Sequence, residues 1–182
     1  MNELVDKAPN CPADIKWHFI GHLQSNKCLK IAKIPNLYMV ECIDSAKLAS
    51  KLDKACEQAG RTEPLRVLIQ VNTSGEESKS GCEPTECVDL VGHVVSSCPN
   101  LRVAGLMTIG AYEVDPTPTF FQRLQECKQA VCARYPQLCD DFEMSMGMSH
   151  DYDLAIENGS TEVRVGTAIF GARTYIKAND DE

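Results

Sequence analysis

The chain has 182 residues, with 18 Lys plus Arg against 26 Asp plus Glu, a formal net charge of -8 and a pI near 5.0. That length suits one domain with a full core and is short for two. The acid excess leaves no basic stripe to offset phosphate repulsion, so nucleic acid is not an expected partner. No apolar run approaches a bilayer span, and no charged-then-apolar leader stands at Met1, so the expectation is a soluble, cytoplasmic protein with no membrane partner.

Ten cysteines need an explanation. Most fall inside helical or strand patterns without paired spacing, Cys28, Cys42, Cys56, Cys127 and Cys132 among them, and no C-x-x-C occurs. Cys82 with Cys87 has only the distant His93 at hand, so zinc is not expected and the thiols read as reduced, small core residues.

In chain order, Met1 to Ala8 reads as a helix ended by the loop of Pro9 and Pro12. Ile15 to Ile20 reads as a strand, and Ser25 to Lys33 as a helix with Lys27, Lys30 and Lys33 on a solvated face. Leu37 to Cys42 has the continuous apolar character of a strand buried on both sides. Ser45 caps a helix in which Leu48, Leu52, Ala55 and Ala59 recur at helical spacing before Gly60 stops it. Leu65 to Val71 is the strongest strand pattern and delivers Asn72 and Thr73 into the polar loop Ser74 to Glu83. Pro84 opens a helix whose expected buried stripe is Cys87, Leu90, Val91, Val94 and Val95.

Leu101 to Met107 is the next strand, and past Pro116 and Pro118 a helix sets Phe120, Leu124, Cys127 and Val131 on one face. A strand at Phe142, a short helix after Ser149, a strand from Glu162 to Val165 and a polar tail from Ile176 to Glu182 complete the chain. Residues 1–175 are therefore expected to form one domain. Strand and helix alternate through six strands, which implies parallel pairing in a doubly wound sheet or a barrel. A doubly wound sheet would place its glycine-rich phosphate loop after the first strand, whereas here that loop follows the last, as in β/α-barrels. The fold class expected is an α/β parallel barrel, TIM-like, with about six of the eight units of a closed one.

The segment Phe142 to Gly171 reads as strand, helix and strand, with both strand ends opening on one side. Ser145, Met146, Gly147 and Ser149 come to that side from the first end, and Arg164, Gly166 and Thr167 from the second. Small residues with open backbone N–H groups, hydroxyls and one guanidinium suit a phosphate monoester on an aromatic ring. The same residues also fit a plainer role: turn glycines, Ser149 as a helix N-cap, and Arg164 paired with a carboxylate such as Glu162.

At SMGMSHDYDLAIENGSTEVRVGTAIFG the chain closely resembles the C-terminal part of the pyridoxal phosphate homeostasis proteins, a family built like the alanine racemase barrel domain. WHFIGHLQSNK (Trp17 to Lys27), VNTSGEESKSGC (Val71 to Cys82) and GLMTIGAY (Gly105 to Tyr112) resemble the same family in the same order. The resemblance implies pyridoxal 5'-phosphate as cofactor, held by Ser145, Arg164, Gly166 and Thr167, with Arg164 at the pyridine nitrogen. It also implies that the first two strands and the Schiff-base lysine of the family would lie before Met1. Only eleven residues follow Gly171, too few for the added domain that supplies a racemase with its second acid/base. The expected role is a cofactor carrier or buffer without turnover, with pyridoxal phosphate-dependent apoenzymes as recipients. Two alternatives stay open: a truncated, non-binding form of that family, and a barrel enzyme acting on a phosphorylated metabolite through Asn72 or Lys79. None of His18, His22, His93 and His150 lies in a nucleophile motif.

Overall fold

A computed structural model describes residues 2–76, 79–110 and 118–172. Met1, the surroundings of Pro116, and the polar tail lie outside the described residues. Six strands, β1 (Trp17–Phe19), β2 (Leu37–Ile43), β3 (Leu65–Gln70), β4 (Leu101–Met107), β5 (Glu143–Met148) and β6 (Glu162–Arg164), form one sheet in sequence order. Every neighbouring pair is parallel. The helices are α1 (Asn2–Lys7), α2 (Cys28–Ala32), α3 (Ala46–Gln58), α4 (Cys87–Ser97), α5 (Thr119–Arg134), α6 (Tyr152–Glu157) and α7 (Thr167–Phe170). This is an incomplete TIM-like barrel, open between β1 and β6, with six consecutive parallel strands in place of a closed ring.

One face of the sheet is apolar, and the other mixes apolar residues with polar ones such as Glu41, Arg66, Gln70 and Ser145. One face packs on the helices, where Val40, Val67, Ile69, Leu106 and Met144 meet Leu52, Val91, Leu124 and Val131 in a single buried cluster. The other face carries a smaller cluster of Met39, Leu68, Ala104 and Met107, edged by Tyr38. Helix ends follow local chemistry. Ser45 Oγ accepts from the Leu48 N–H at 3.3 Å, and Gly60 takes a φ of 69° just beyond α3. At Gly105, where β4 runs against β5, a Cβ would strike the Glu143 backbone, so only glycine permits the pairing.

Several expectations are corrected. The first strand ends at Phe19, and Ile20 is half exposed. Val95 is 45% exposed and leaves the stripe on α4, while on α5 Phe121, and not Phe120, fills the core beside Leu124. Adjacent residues sit about 100° apart on a helix, so a one-residue error moves a side chain off the packed face. Cys132 and Cys139 form a disulfide with a Cα–Cα distance of 5.7 Å, contrary to the all-thiol expectation. A 3-10 turn at Pro136–Leu138 doubles the chain back beside the end of α5 and brings the two together. The other eight cysteines are free, and all but Cys11 are buried. Burial pushes the Cys42 thiol up to about 12 and that of Cys56 to about 11, as expected of inert core residues.

Candidate functional site

The residues singled out in the sequence lie within β5, at the end of β6 and just beyond it. Arg164 closes β6, and its guanidinium donates through Nη1 to Ser145 Oγ and through Nη2 to the Thr108 carbonyl, each at 2.8 Å. Thr108 stands just past β4 and Ser145 lies within β5, so one side chain links β4, β5 and β6. Thr108 is itself fixed by donating to the Val71 carbonyl at 3.0 Å and by the Thr73 hydroxyl at 2.9 Å. Among the described residues, two of the five guanidinium N–H donors are engaged in these bonds.

Ser145 is fully buried and its hydroxyl donates to Glu41 Oε2 at 2.6 Å. Glu41, on β2, is also fully buried, and its other oxygen receives His18 Nδ1–H at 2.8 Å. The same Nδ1 lies 3.2 Å from Glu162 Oε1 on β6. Hydrogen bonds to Glu162 and then to Glu41 raise the His18 pKa from 6.5 to about 9, so the ring is an imidazolium at neutral pH. Burial works against the Glu41 carboxylate, but the bonds from His18 and Ser145 outweigh it and hold its pKa below the usual value. At Glu162 burial dominates and the pKa rises. Burial also lowers that of Arg164, against the pull of Glu41 and Glu162. His18, Glu41 and Glu162 are close enough to ligate one cation, which would first have to displace the proton they share.

Gly166 caps α7 just after β6 and Thr167 is the first residue of that helix, where a loop was expected; both are exposed. A Cβ at Gly166 would meet nothing within 4 Å, so the space beside it is open. Ser149 is not the N-cap of α6. Asp151 occupies that position, with its carboxylate accepting from the Met148 N–H at 2.6 Å. The Ser149 hydroxyl oxygen instead accepts from the N–H groups of Gly166 and Ala168, at 3.1 and 3.3 Å. This turn thus already gathers its amides around one oxygen, the arrangement a phosphate oxygen requires.

The four residues chosen from sequence fall into two groups. Ser145 and Arg164 share a buried network, while Gly166 and Thr167 lie beyond it at the start of α7. Sequence reasoning missed Glu41, His18, Thr108 and the role of Ser149. The signal for Glu41 was present, since a carboxylate within the apolar run Leu-Tyr-Met-Val-Glu-Cys needs a buried partner. Asn72 and Lys79, candidates for an acid or base, serve the loop after β3. Asn72 Nδ2 donates to the Glu76 carbonyl and its Oδ1 accepts from Ser74 and Gly75. Lys79 Nζ donates to the Gly110 carbonyl at 3.0 Å and pairs with Glu76.

Strand order, helix placement and the loop after the last strand define a barrel domain of the alanine racemase N-terminal kind, and the family model "Alanine racemase, N-terminal domain" matches residues 13–174. The pyridoxal phosphate homeostasis protein of Mus musculus is 47% identical over 187 aligned residues, covering 97% of this chain and 68% of its own. A protein of unknown function from Bifidobacterium adolescentis superposes with a TM-score of 0.74 at 40% identity, over 86% of this chain and 61% of its own. The Synechococcus elongatus protein PipY, solved with pyridoxal phosphate bound, gives 0.77 at 28% identity, over 93% and 76%. The chain belongs to the pyridoxal phosphate homeostasis protein family.

Proposed function

We propose that the chain binds pyridoxal 5'-phosphate at the ends of β5 and β6 and holds it as a carrier or buffer in vitamin B6 homeostasis, without turnover. The observation that carries this reading is the Arg164 guanidinium, held by Ser145 and the Thr108 carbonyl close in sequence to the turn where Ser149 accepts from the Gly166 N–H. The bound structure of PipY and the names of the relatives support the choice of ligand. The donor set fits it. The Thr167 N–H and hydroxyl would take the phosphate, joined by the Gly166 N–H once it turns from Ser149 Oγ; Arg164 would donate to the ring nitrogen, and Ser145 would act through Arg164.

Bound pyridoxal phosphate supplies an aldehyde and an electron-withdrawing ring, and a nitrogen facing an arginine stays unprotonated, which weakens that withdrawal. A carrier needs no more. The domain over residues 1–175, a cytoplasmic location and delivery to pyridoxal phosphate-dependent apoenzymes belong to the same proposal. Among the described residues no helix is long and apolar enough to cross a membrane. Absorbance titration of the purified chain tests the reading. Saturable binding of one equivalent with no conversion of added amino acids is expected, and absence of saturable binding, or turnover, overturns it.

A further inference from the structure

Resting on that reading of the site, we propose that Glu41 and His18 are positioning residues for Arg164, and that the aim of its guanidinium depends on the proton His18 carries. The direction of each hydrogen bond leads there. A guanidinium can only donate, so Ser145 Oγ accepts from Arg164. The one hydrogen of that hydroxyl then points to Glu41 Oε2. Glu41 accepts on both oxygens, and its second donor is His18 Nδ1. The order of donors and acceptors from β6 through β5 and β2 to β1 is thereby fixed, and no member can turn without breaking a neighbour's bond.

Charge gives the same result. His18 faces Glu41 and Glu162 and stacks on Tyr38, whose ring also carries Lys16 and Arg66. Arg164 feels Glu41, Glu162 and Asp151. With His18 protonated, the two cations His18 and Arg164 face Glu41 and Glu162, with Asp151 a third carboxylate acting on Arg164. Without that proton, Glu41 and Glu162 face each other as like charges. Glu162 lies two residues before Arg164 on the same side of β6, so repulsion at one displaces the other. Glu41, bonded to Ser145 and His18, thus acts on cofactor grip from behind the arginine.

The test follows the Arg164 Nε–Hε resonance by NMR in the unliganded chain, together with pyridoxal phosphate affinity by calorimetry. In the unsubstituted chain a single, slowly exchanging resonance is expected at pH 7 and its loss above about pH 9. In Glu41→Gln and His18→Gln it is expected to be averaged already at pH 7. Affinity should fall about tenfold in Glu41→Gln, and Arg164→Ala should bind no better than Glu41→Gln/Arg164→Ala, because both remove one interaction. Ser145→Ala, a smaller change that cuts the same chain, should give the same resonance behaviour if Glu41→Gln does not fold. An Arg164 resonance indifferent to these substitutions, or losses that simply add, would overturn the inference. If the unsubstituted chain fails to bind while its arginine responds as described, the ligand assignment falls and the positioning relation stands.

Discussion

His18 Nδ1 on the first strand of the sheet lies 3.2 Å from Glu162 Oε1 on the last. Among the described residues no backbone ladder joins these two strands, so the open side of the half-barrel is spanned by side chains, with buried Glu41 between them. The same three groups stand one bond behind the arginine of the proposed cofactor site. Stability and ligand grip therefore share a titrating element.

That element gives stability a defined pH dependence. The His18 pKa is raised from 6.5 to about 9, so its ion pairs contribute fully below about pH 6.5 and that contribution is lost as pH rises through about 9. Thermal unfolding followed by circular dichroism should show the midpoint falling across this window. His18→Gln should remove that fall, and an unchanged slope in the variant would exclude His18 as its source.

Glycine substitutions separate folding from binding. Gly105→Ala drives a methyl into the Glu143 backbone, where nothing can yield, and should cost about 3 kcal/mol or prevent folding. Gly166 has a φ of -118° and open space beside it, so Gly166→Ala should fold like the parent. If the phosphate presses against that loop, the same methyl should still weaken pyridoxal phosphate about tenfold. Denaturant unfolding and ligand titration of the two variants check this pair, and unimpaired binding by Gly166→Ala would remove the loop from the site.

The frame of the fold was legible because it rests on local patterns. Runs such as Leu65 to Val71 are rich in branched apolar residues and bounded by polar loops, and Ser45 with Gly60 marks both ends of α3 by backbone chemistry alone. The end of β6 before Gly166 was legible for the same reason, whereas the helical turn that begins at Thr167 was not. What escaped were relations across the fold. Glu41 meets His18 across 23 positions and Ser145 across 104, and no spacing rule encodes either. Ser149 has the composition of a cap, yet the helix starts two positions on at Asp151, and the Ser149 hydroxyl accepts from Gly166 beyond β6.

The cysteines supply a direct count. Unfolding the oxidised protein without reductant should expose eight thiols to a colorimetric reagent, with Cys132 and Cys139 withheld, and reductant should raise the number to ten. Ten thiols at the outset would contradict the bridge and restore the reading of a fully reduced chain.

The central claim is that this chain grips a phosphorylated pyridine ring through Arg164 and the loop after β6. Titration calorimetry with pyridoxal phosphate and with unphosphorylated pyridoxal, on the parent chain and on Arg164→Ala, tests it most directly. Losing a hydrogen bond from a charged donor costs about 1.5–3 kcal/mol, so Arg164→Ala should weaken pyridoxal phosphate by about one to two decades. Pyridoxal should bind the parent chain more weakly than its phosphate. Equal affinity for the two ligands, or an Arg164→Ala chain that binds as tightly as its parent, would contradict the claim.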